Sequence, residues 1–150
     1  MFSKKNVRYS HYFLKGFTLV ELLLVIAIIA IVGATAIPIG SSFLVRTHVK
    51  NKTNELVSSL RTAQINSING KADSQWGVSV ANSKITLYAN NNTALNQVFS
   101  IPTTISITQN SILFDKITGT PNAPKTFTIT SNIGKTTTVT VNEIGTVDVK

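Results

Sequence analysis

Cysteine is absent from this 150-residue sequence, and acidic and aromatic residues are scarce. Without cysteine the chain has no disulfide, no thiolate metal ligand and no cysteine nucleophile. The two histidines, His11 and His48, are far apart and have no cluster of acids beside them, so the sequence predicts no metal site. No Ser-His-Asp arrangement or phosphate-binding loop is apparent. We therefore expect neither catalysis nor a cofactor.

Positive charge is concentrated at the start of the chain. The formal net charge is +8, with 14 basic and 6 acidic residues. Four basic residues and no acid precede Phe17: Lys4, Lys5, Arg8 and Lys15. Lys and Arg collect on the cytoplasmic side of membrane segments, so this cluster predicts that the N-terminus lies on the cytoplasmic side. The remaining +4 is scattered and is weak evidence for an anionic partner.

The longest hydrophobic run covers residues 17–39 and contains one acid, Glu21. As a helix these 23 residues span about 34 Å, which is enough to cross a hydrocarbon core of about 30 Å. Pro38 lacks a backbone N–H and lies near the end of the run, so we expect a kink there. The run predicts a transmembrane helix.

An amphipathic pattern follows the apolar run. Apolar or small residues recur at spacings of three, four or seven and form one stripe: Val45, Val49, Leu56, Leu60, Ala63 and Ser67. Asn69 and Gly70 both tolerate the left-handed conformation that ends helices. We expect one long helix from Phe17 to about Asn69, with the stripe covering a sheet.

Beyond Gly70 the sequence consists of short runs rich in Thr, Ser, Val and Ile, which indicates strands. Hairpins are predicted around Asn82-Ser83 and around residues 131–134, and a closing edge strand at residues 147–149. Residues 105–107 and 112–114 are two further predicted strands. The amide-rich segment 89–97 is predicted to be an exposed loop. Trp76, the sole tryptophan, is predicted to pack the first strand against the helix.

A basic segment followed by an apolar run has two interpretations. A secretory signal peptide would be cut after small residues, here after Ala36, and would release a domain that begins at Ile37. Alternatively, cleavage before the apolar run would remove the basic residues and leave the helix attached to the mature chain.

The string Gly16-Phe17-Thr18-Leu19-Val20-Glu21 resembles the prepilin peptidase site of type IV pilins and type II secretion pseudopilins. The resemblance implies cleavage between Gly16 and Phe17 and N-methylation of Phe17. It also implies an assembly role for Glu21, whose carboxylate would meet the N-terminal amine of a neighbouring subunit. Pro38 matches the proline found late in the apolar half-helix of that family.

The resemblance predicts an α+β fold in which a long N-terminal helix packs on a small antiparallel β domain. We expect a prepilin leader at residues 1–16, a transmembrane and assembly half-helix at 17–39, an amphipathic half-helix at 40–69 and an extracytoplasmic β domain at 70–150. The chain would be a single-pass inner-membrane protein that later enters a pilus or pseudopilus. Its expected partners are prepilin peptidase, membrane lipid and other pilin subunits.

The C-terminal half also resembles minor pseudopilins of the GspH/FimT group. The resembling residues are Trp76-Gly77-Val78, Ile112-Leu113-Phe114 and the closing stretch 141–147. The usual Ala-Arg-X-X-Ala helix end is replaced here by Thr62-Ala63-Gln64-Ile65-Asn66, which lacks the arginine. This group implies two small antiparallel sheets on the helix.

The function favoured by these patterns is a structural subunit, a minor pilin or pseudopilin, of a type IV pilus, competence pilus or type II secretion pseudopilus. DNA binding is the first alternative, because Lys84, Lys116, Lys125 and Lys135 would serve it if they converge at strand ends. A secreted domain cut after Ala36 is the second alternative.

Overall fold

The structure is a computed structural model that describes residues 16–150, apart from the side chains of residues 35–42. The predicted leader therefore lies outside the described residues, except for Gly16. The chain divides into two compact units, Met1–Pro38 and Ile39–Lys150. One helix, α1 (Leu19–Ile68), contributes to both. Among the described residues, no helix has the length and apolar content expected of a membrane span.

The helix ends at Ile68, next to the predicted stop at Asn69 and Gly70. Gly70 has a φ of 58°, in the left-handed region, and its N–H donates to the carbonyl of Ser67 at 3.0 Å. This tightened bond satisfies one of the carbonyls that a helix end leaves without a partner. A single 3₁₀ turn, Lys71–Asp73, then leads to the first strand.

The predicted apolar stripe of α1 is confirmed. All six of its members are buried: Val45, Val49, Leu56, Leu60, Ala63 and Ser67. Thr53, which the predicted stripe did not include, is also buried. The Thr53 hydroxyl donates to the carbonyl of Val49 at 2.8 Å, which removes the cost of burying it.

Two four-stranded antiparallel sheets follow the helix. The first has the order β3-β2-β1-β5, with β1 (Trp76–Ala81), β2 (Lys84–Ala89), β3 (Asn92–Ser100) and β5 (Asn110–Phe114). The second has the order β4-β6-β7-β8, with β4 (Ile105–Ile107), β6 (Lys125–Ser131), β7 (Thr136–Val141) and β8 (Val147–Val149). The α+β fold, both predicted hairpins and the closing edge strand are confirmed.

The prediction of a loop at residues 89–97 is wrong, because most of that segment belongs to β3. β3 is an edge strand, and its registered partners in β2 include Lys84 opposite Ser100 and Leu87 opposite Gln97. No side chain of β3 is fully buried, so its sequence has no need for apolar alternation. The backbone ladder with β2 can form beneath polar amide side chains, which explains the missed strand.

One hydrophobic core joins the helix stripe and both sheets. Its fully buried members include Leu56 and Leu60 from α1, Ile85 from β2 and Phe127 from β6. Trp76 is 2% exposed, and its indole N–H donates to the carbonyl of Lys71 at 2.9 Å. The predicted packing role of this tryptophan is confirmed.

Ser67 connects the end of α1 to two strands of the first sheet. Its buried hydroxyl accepts the N–H of Trp76 at 2.8 Å and donates to the carbonyl of Phe114 at 3.1 Å. The carbonyl of Ser67 accepts the N–H of Ile117 at 3.1 Å. A single small side chain therefore satisfies backbone groups of β1 and β5 that water cannot reach.

Ser67→Ala is expected to destabilise the protein by about 2 kcal/mol, because it leaves a buried N–H and a buried carbonyl without their partner. Chemical denaturation of the full chain in detergent measures this loss. Ser58→Ala is the matched control, since Ser58 is exposed on the same helix. A loss below about 0.5 kcal/mol for Ser67→Ala would contradict the bridging role.

An exposed ion pair joins the 3₁₀ turn to the segment after β5. The ammonium of Lys116 donates to the Asp73 carboxylate, and this hydrogen bond, followed by the Coulomb attraction, lowers the pKa of Asp73 below its ordinary value of 3.8. The pair therefore stabilises the fold above pH 3.8, and its contribution is lost as the pH falls through the lower folded pKa. Because Asp73 is fully exposed, that contribution is small.

The Asp73 carboxyl is expected to titrate below pH 3.8 in NMR spectra, and Lys116→Gln should return its midpoint to the ordinary value. Lys125→Gln removes the same charge at a distant lysine and should leave the midpoint where it is in the wild type. An unchanged Asp73 midpoint in Lys116→Gln would show that the ion pair is not formed in solution.

Candidate processing and assembly segment

Thr18 caps the N-terminus of α1. Its hydroxyl oxygen accepts the backbone N–H of Glu21 at 3.2 Å, and its carbonyl accepts the N–H of Leu22 at 3.2 Å. The spacing Thr-X-X-Glu is that of a capping box, in which the first residue satisfies an N–H that the helix start leaves free. The sequence analysis missed this cap, although the spacing was visible in it.

Glu21 lies in the first turn of α1 and is exposed. A carboxylate in this position is favoured by the positive end of the helix dipole. In the residues that the structure describes, no hydrogen bond or ion pair involves the Glu21 side chain, whereas its backbone N–H is held by Thr18. The helix cap therefore holds the backbone of Glu21, while its exposed carboxylate is accessible to another group.

Gly16 and Phe17 precede the first helical residue. Phe17 is 83% exposed, and a Cβ built on Gly16 would meet no atom within 4 Å. The backbone of Gly16 is not in the left-handed region either. The fold itself does not require glycine at this position, so a requirement for it would come from an external partner that approaches the backbone.

Every described side chain of residues 16–34 is exposed, although nearly all of them are apolar. The large ones lie all around the helix: Leu19, Val20, Leu22, Leu23, Leu24, Val25, Ile26, Ile28, Ile29, Ile31 and Val32. A helix that is apolar on all faces is normally buried in a large core or in a membrane. The described chain does not supply that cover.

Pro38 is included in the helical backbone of α1. Its side chain belongs to the group that the structure does not describe, so the predicted kink at Pro38 remains a prediction.

The four lysines that could have formed a DNA-binding cluster do not converge. Lys116 pairs with Asp73, and Lys84 lies in the first sheet. Lys125 opens β6 opposite Val141, while Lys135 lies in the turn at the other end of that hairpin. Lys135 instead lines a groove together with two basic residues of α1, Arg46 and Lys50.

The ring of His48 lies next to the segment that leads into β4. Its Nδ1 atom is 3.4 Å from the hydroxyl oxygen of Thr104. Among residues 16–150, no three His, Asp or Glu side chains are grouped as metal ligands would be.

Residues 15–37 match the family model of the prokaryotic N-terminal methylation motif. The chain is also 51% identical over 49 residues to two fimbrial proteins of Pseudomonas aeruginosa; this alignment covers 33% of the chain and 31% of each fimbrial protein. The chain thus spans about a third of the length of the curated relatives it matches. No solved structure matches the chain.

These matches confirm the resemblance to type IV pilins that the string Gly16–Glu21 predicted, and the family model places the matching motif at residues 15–37. The family model ends at residue 37 and does not reach the β sheets. The likeness to the GspH/FimT group depends on the sequence and the architecture alone.

Proposed function

We propose that this chain is a structural subunit of a type IV pilus or a related filament, made as a precursor and cut between Gly16 and Phe17. The processed chain would carry an N-methylated Phe17 and would be held in the inner membrane by the apolar half of α1 until it is assembled. Its partners would be prepilin peptidase, membrane lipid and other pilin subunits. This role is that of a building block and not of an enzyme.

The observation that carries the proposal is the exposed apolar surface of α1 within the segment that matches the methylation motif. Moving a large aliphatic side chain from water into an apolar environment is favourable by roughly 1.5–3 kcal/mol. Eleven such side chains from Leu19 to Val32 are exposed in the isolated chain. A membrane before assembly, and the helices of neighbouring subunits after it, would supply the missing cover.

Small residues along the same helix support packing between subunits. Ala27, Ala30 and Gly33 recur at spacings of three residues and allow two helix backbones to approach closely. A Cβ built on Gly33 would meet no atom within 4 Å, so the space beside this glycine is open. The helix of a neighbouring subunit would fill that space.

We further propose that the chain is a minor subunit of the GspH/FimT type. The support is the pair of antiparallel four-stranded sheets that share one core with the amphipathic half of α1, which is the arrangement that the resemblance implied. The filament could be a pilus, a competence pilus or a type II secretion pseudopilus. DNA binding has less support than assembly, because the four candidate lysines lie apart.

The mature N-terminus tests the proposal. The full chain is expressed in cells with and without prepilin peptidase, recovered from membranes and measured by mass spectrometry. We expect a chain that begins at N-methylated Phe17 in cells with the peptidase, and the uncut precursor in cells without it.

A chain that begins at Ile37 and is recovered without detergent would instead establish a signal peptide cut after Ala36. The proposed function would then be wrong. Processing at Phe17 that does not depend on the peptidase would also contradict the pathway.

A further inference from the structure

A groove of about 730 Å³ lies between α1 and the second sheet. One wall is a face of the helix and the other is formed by the β6–β7 turn, β7 and β8. Its lining includes Phe43, Arg46, Lys50, Asn54, Lys135 and Val149. All of these belong to the second compact unit.

The groove brings together three cations from two elements. Arg46 and Lys50 are one helical turn apart on α1, and Lys135 lines the same groove from the β6–β7 turn. All three are exposed, and none of them forms an ion pair with another residue in the described part of the chain. No acidic residue lines the groove. The groove is therefore an electropositive site without an internal counter-ion.

The cations follow closely after the apolar run. Arg46 is seven residues beyond Ile39, which corresponds to about 10 Å of helix. Phe43 and Leu44 lie between them and are 68% and 58% exposed. Exposed apolar side chains next to basic ones, immediately outside a membrane segment, are typical of chains that contact the headgroup region of a bilayer.

We propose that this groove binds the headgroup of an anionic phospholipid in the outer leaflet of the membrane that holds the precursor. The lipid phosphate would be placed among Arg46, Lys50 and Lys135, and Phe43 and Val149 would lie beside the upper acyl carbons. The inference rests on the proposed membrane-held precursor. It assigns to the soluble part of the chain a lipid contact that the apolar helix does not provide.

A membrane is a better occupant than DNA on the same observations. Tracking a nucleic-acid backbone requires a row of cations, and it usually involves aromatic side chains that stack on bases. The other candidate lysines, Lys84 and Lys125, lie in the first sheet and at the far end of the β6–β7 hairpin. The groove thus offers one compact phosphate site with apolar side chains next to it.

Lipid titration of the full chain in a neutral detergent tests the site. The probes are dioctanoyl phosphatidylglycerol and dioctanoyl phosphatidylcholine, and native mass spectrometry counts the bound lipids. The groove variant is Lys50→Gln with Lys135→Gln. The matched control, Lys84→Gln with Lys125→Gln, removes the same charge outside the groove.

We expect the wild type to prefer phosphatidylglycerol to phosphatidylcholine and the groove variant to bind phosphatidylglycerol about 25-fold more weakly, since each cation near a headgroup is worth about fivefold in affinity. The control should stay within about twofold of the wild type. An equal loss in both variants, or no preference between the two lipids, would overturn the proposal.

Two further binding measurements distinguish a lipid phosphate from free phosphate and from the phosphates of a nucleic acid. Displacement of the lipid by an equal concentration of inorganic phosphate would show a free-anion site, and tighter binding of a duplex DNA that the groove variant loses would show a nucleic-acid site. Either result would overturn the assignment to lipid.

The same cells report on the proposed function separately. The groove variant should still be cut before Phe17 and recovered with membranes, because its N-terminal segment is intact. Normal processing without lipid selectivity would refute the groove alone, whereas a missing Phe17 terminus in the wild type would refute the pilin pathway.

Discussion

Gly16→Val is expected to abolish maturation and leave the protein in the membrane as its uncut precursor. A branched side chain at this position would stand between the scissile bond and a protease that must reach the backbone of an extended segment. The fold does not oppose the substitution, because Gly16 precedes the helix and a Cβ there meets no atom within 4 Å. Loss of the mature chain would therefore reflect failed recognition and not failed folding.

Mass spectrometry of membrane fractions measures the ratio of precursor to mature chain, which we expect to shift at least 100-fold toward the precursor. Gly33→Val is the control, since Gly33 is also free of neighbouring atoms but lies inside α1. It should be processed like the wild type. A Gly16→Val protein that matures normally would show that cleavage does not occur at this bond.

The helix and its buried stripe were predictable because helical periodicity is local. Val45, Val49, Leu56 and Leu60 repeat at the spacing that places them on one face, and no distant contact is needed to recognise that face. The end of the helix at Gly70 was predictable for the same reason, since glycine itself readily adopts the left-handed conformation.

The missed strand β3 shows where local patterns fail. Alternation of apolar and polar residues indicates that one face of a strand is buried. An edge strand with both faces largely accessible does not need this alternation. Asn92, Asn96 and Gln97 look like turn residues, and their strand conformation depends on the presence of β2 as a hydrogen-bonding partner. The pairing of β1 with β5 is likewise a tertiary choice that no short window contains.

The candidate sites divide in the same way. Gly16, Phe17 and Glu21 form a continuous string, so the sequence alone presented them together. The groove cations Arg46, Lys50 and Lys135 come from a helix and a distant turn, and the sequence analysis placed Lys135 in a different, DNA-binding group. Only the packing of α1 against the second sheet brings Lys135 to the helix.

Glu21→Gln is expected to reduce filament assembly at least 100-fold while destabilising the monomer by less than about 1 kcal/mol, the usual size of the helix-dipole contribution. Glutamine preserves the size of the side chain and is accepted at the third helical position of a capping box, so the bond from the Glu21 N–H to Thr18 should persist. What the variant removes is the negative charge, which would face the N-terminal amine of a neighbouring Phe17 between apolar helices. Loss of one partner of a buried ion pair costs about 3–5 kcal/mol, which corresponds to more than a 100-fold change in association.

Two companion variants separate the charge of Glu21 from its place in the helix cap. Thr18→Ala removes the capping oxygen and should cost the helix start about 1 kcal/mol, but it keeps the carboxylate and should assemble far better than Glu21→Gln. Glu55→Gln removes a negative charge from the amphipathic half of α1, where Glu55 pairs with Lys52, and should assemble normally.

Filament yield is measured by sheared-surface preparations and by electron microscopy, with precursor processing followed in parallel. If Thr18→Ala fails to assemble and Glu21→Gln succeeds, assembly depends on the helix cap and not on the carboxylate, and the pairing with a neighbouring amine is wrong. If Glu21→Gln alone fails although it is cut normally before Phe17, the carboxylate is needed between subunits. An acid in an otherwise apolar segment would then be explained by a partner that exists only in the filament.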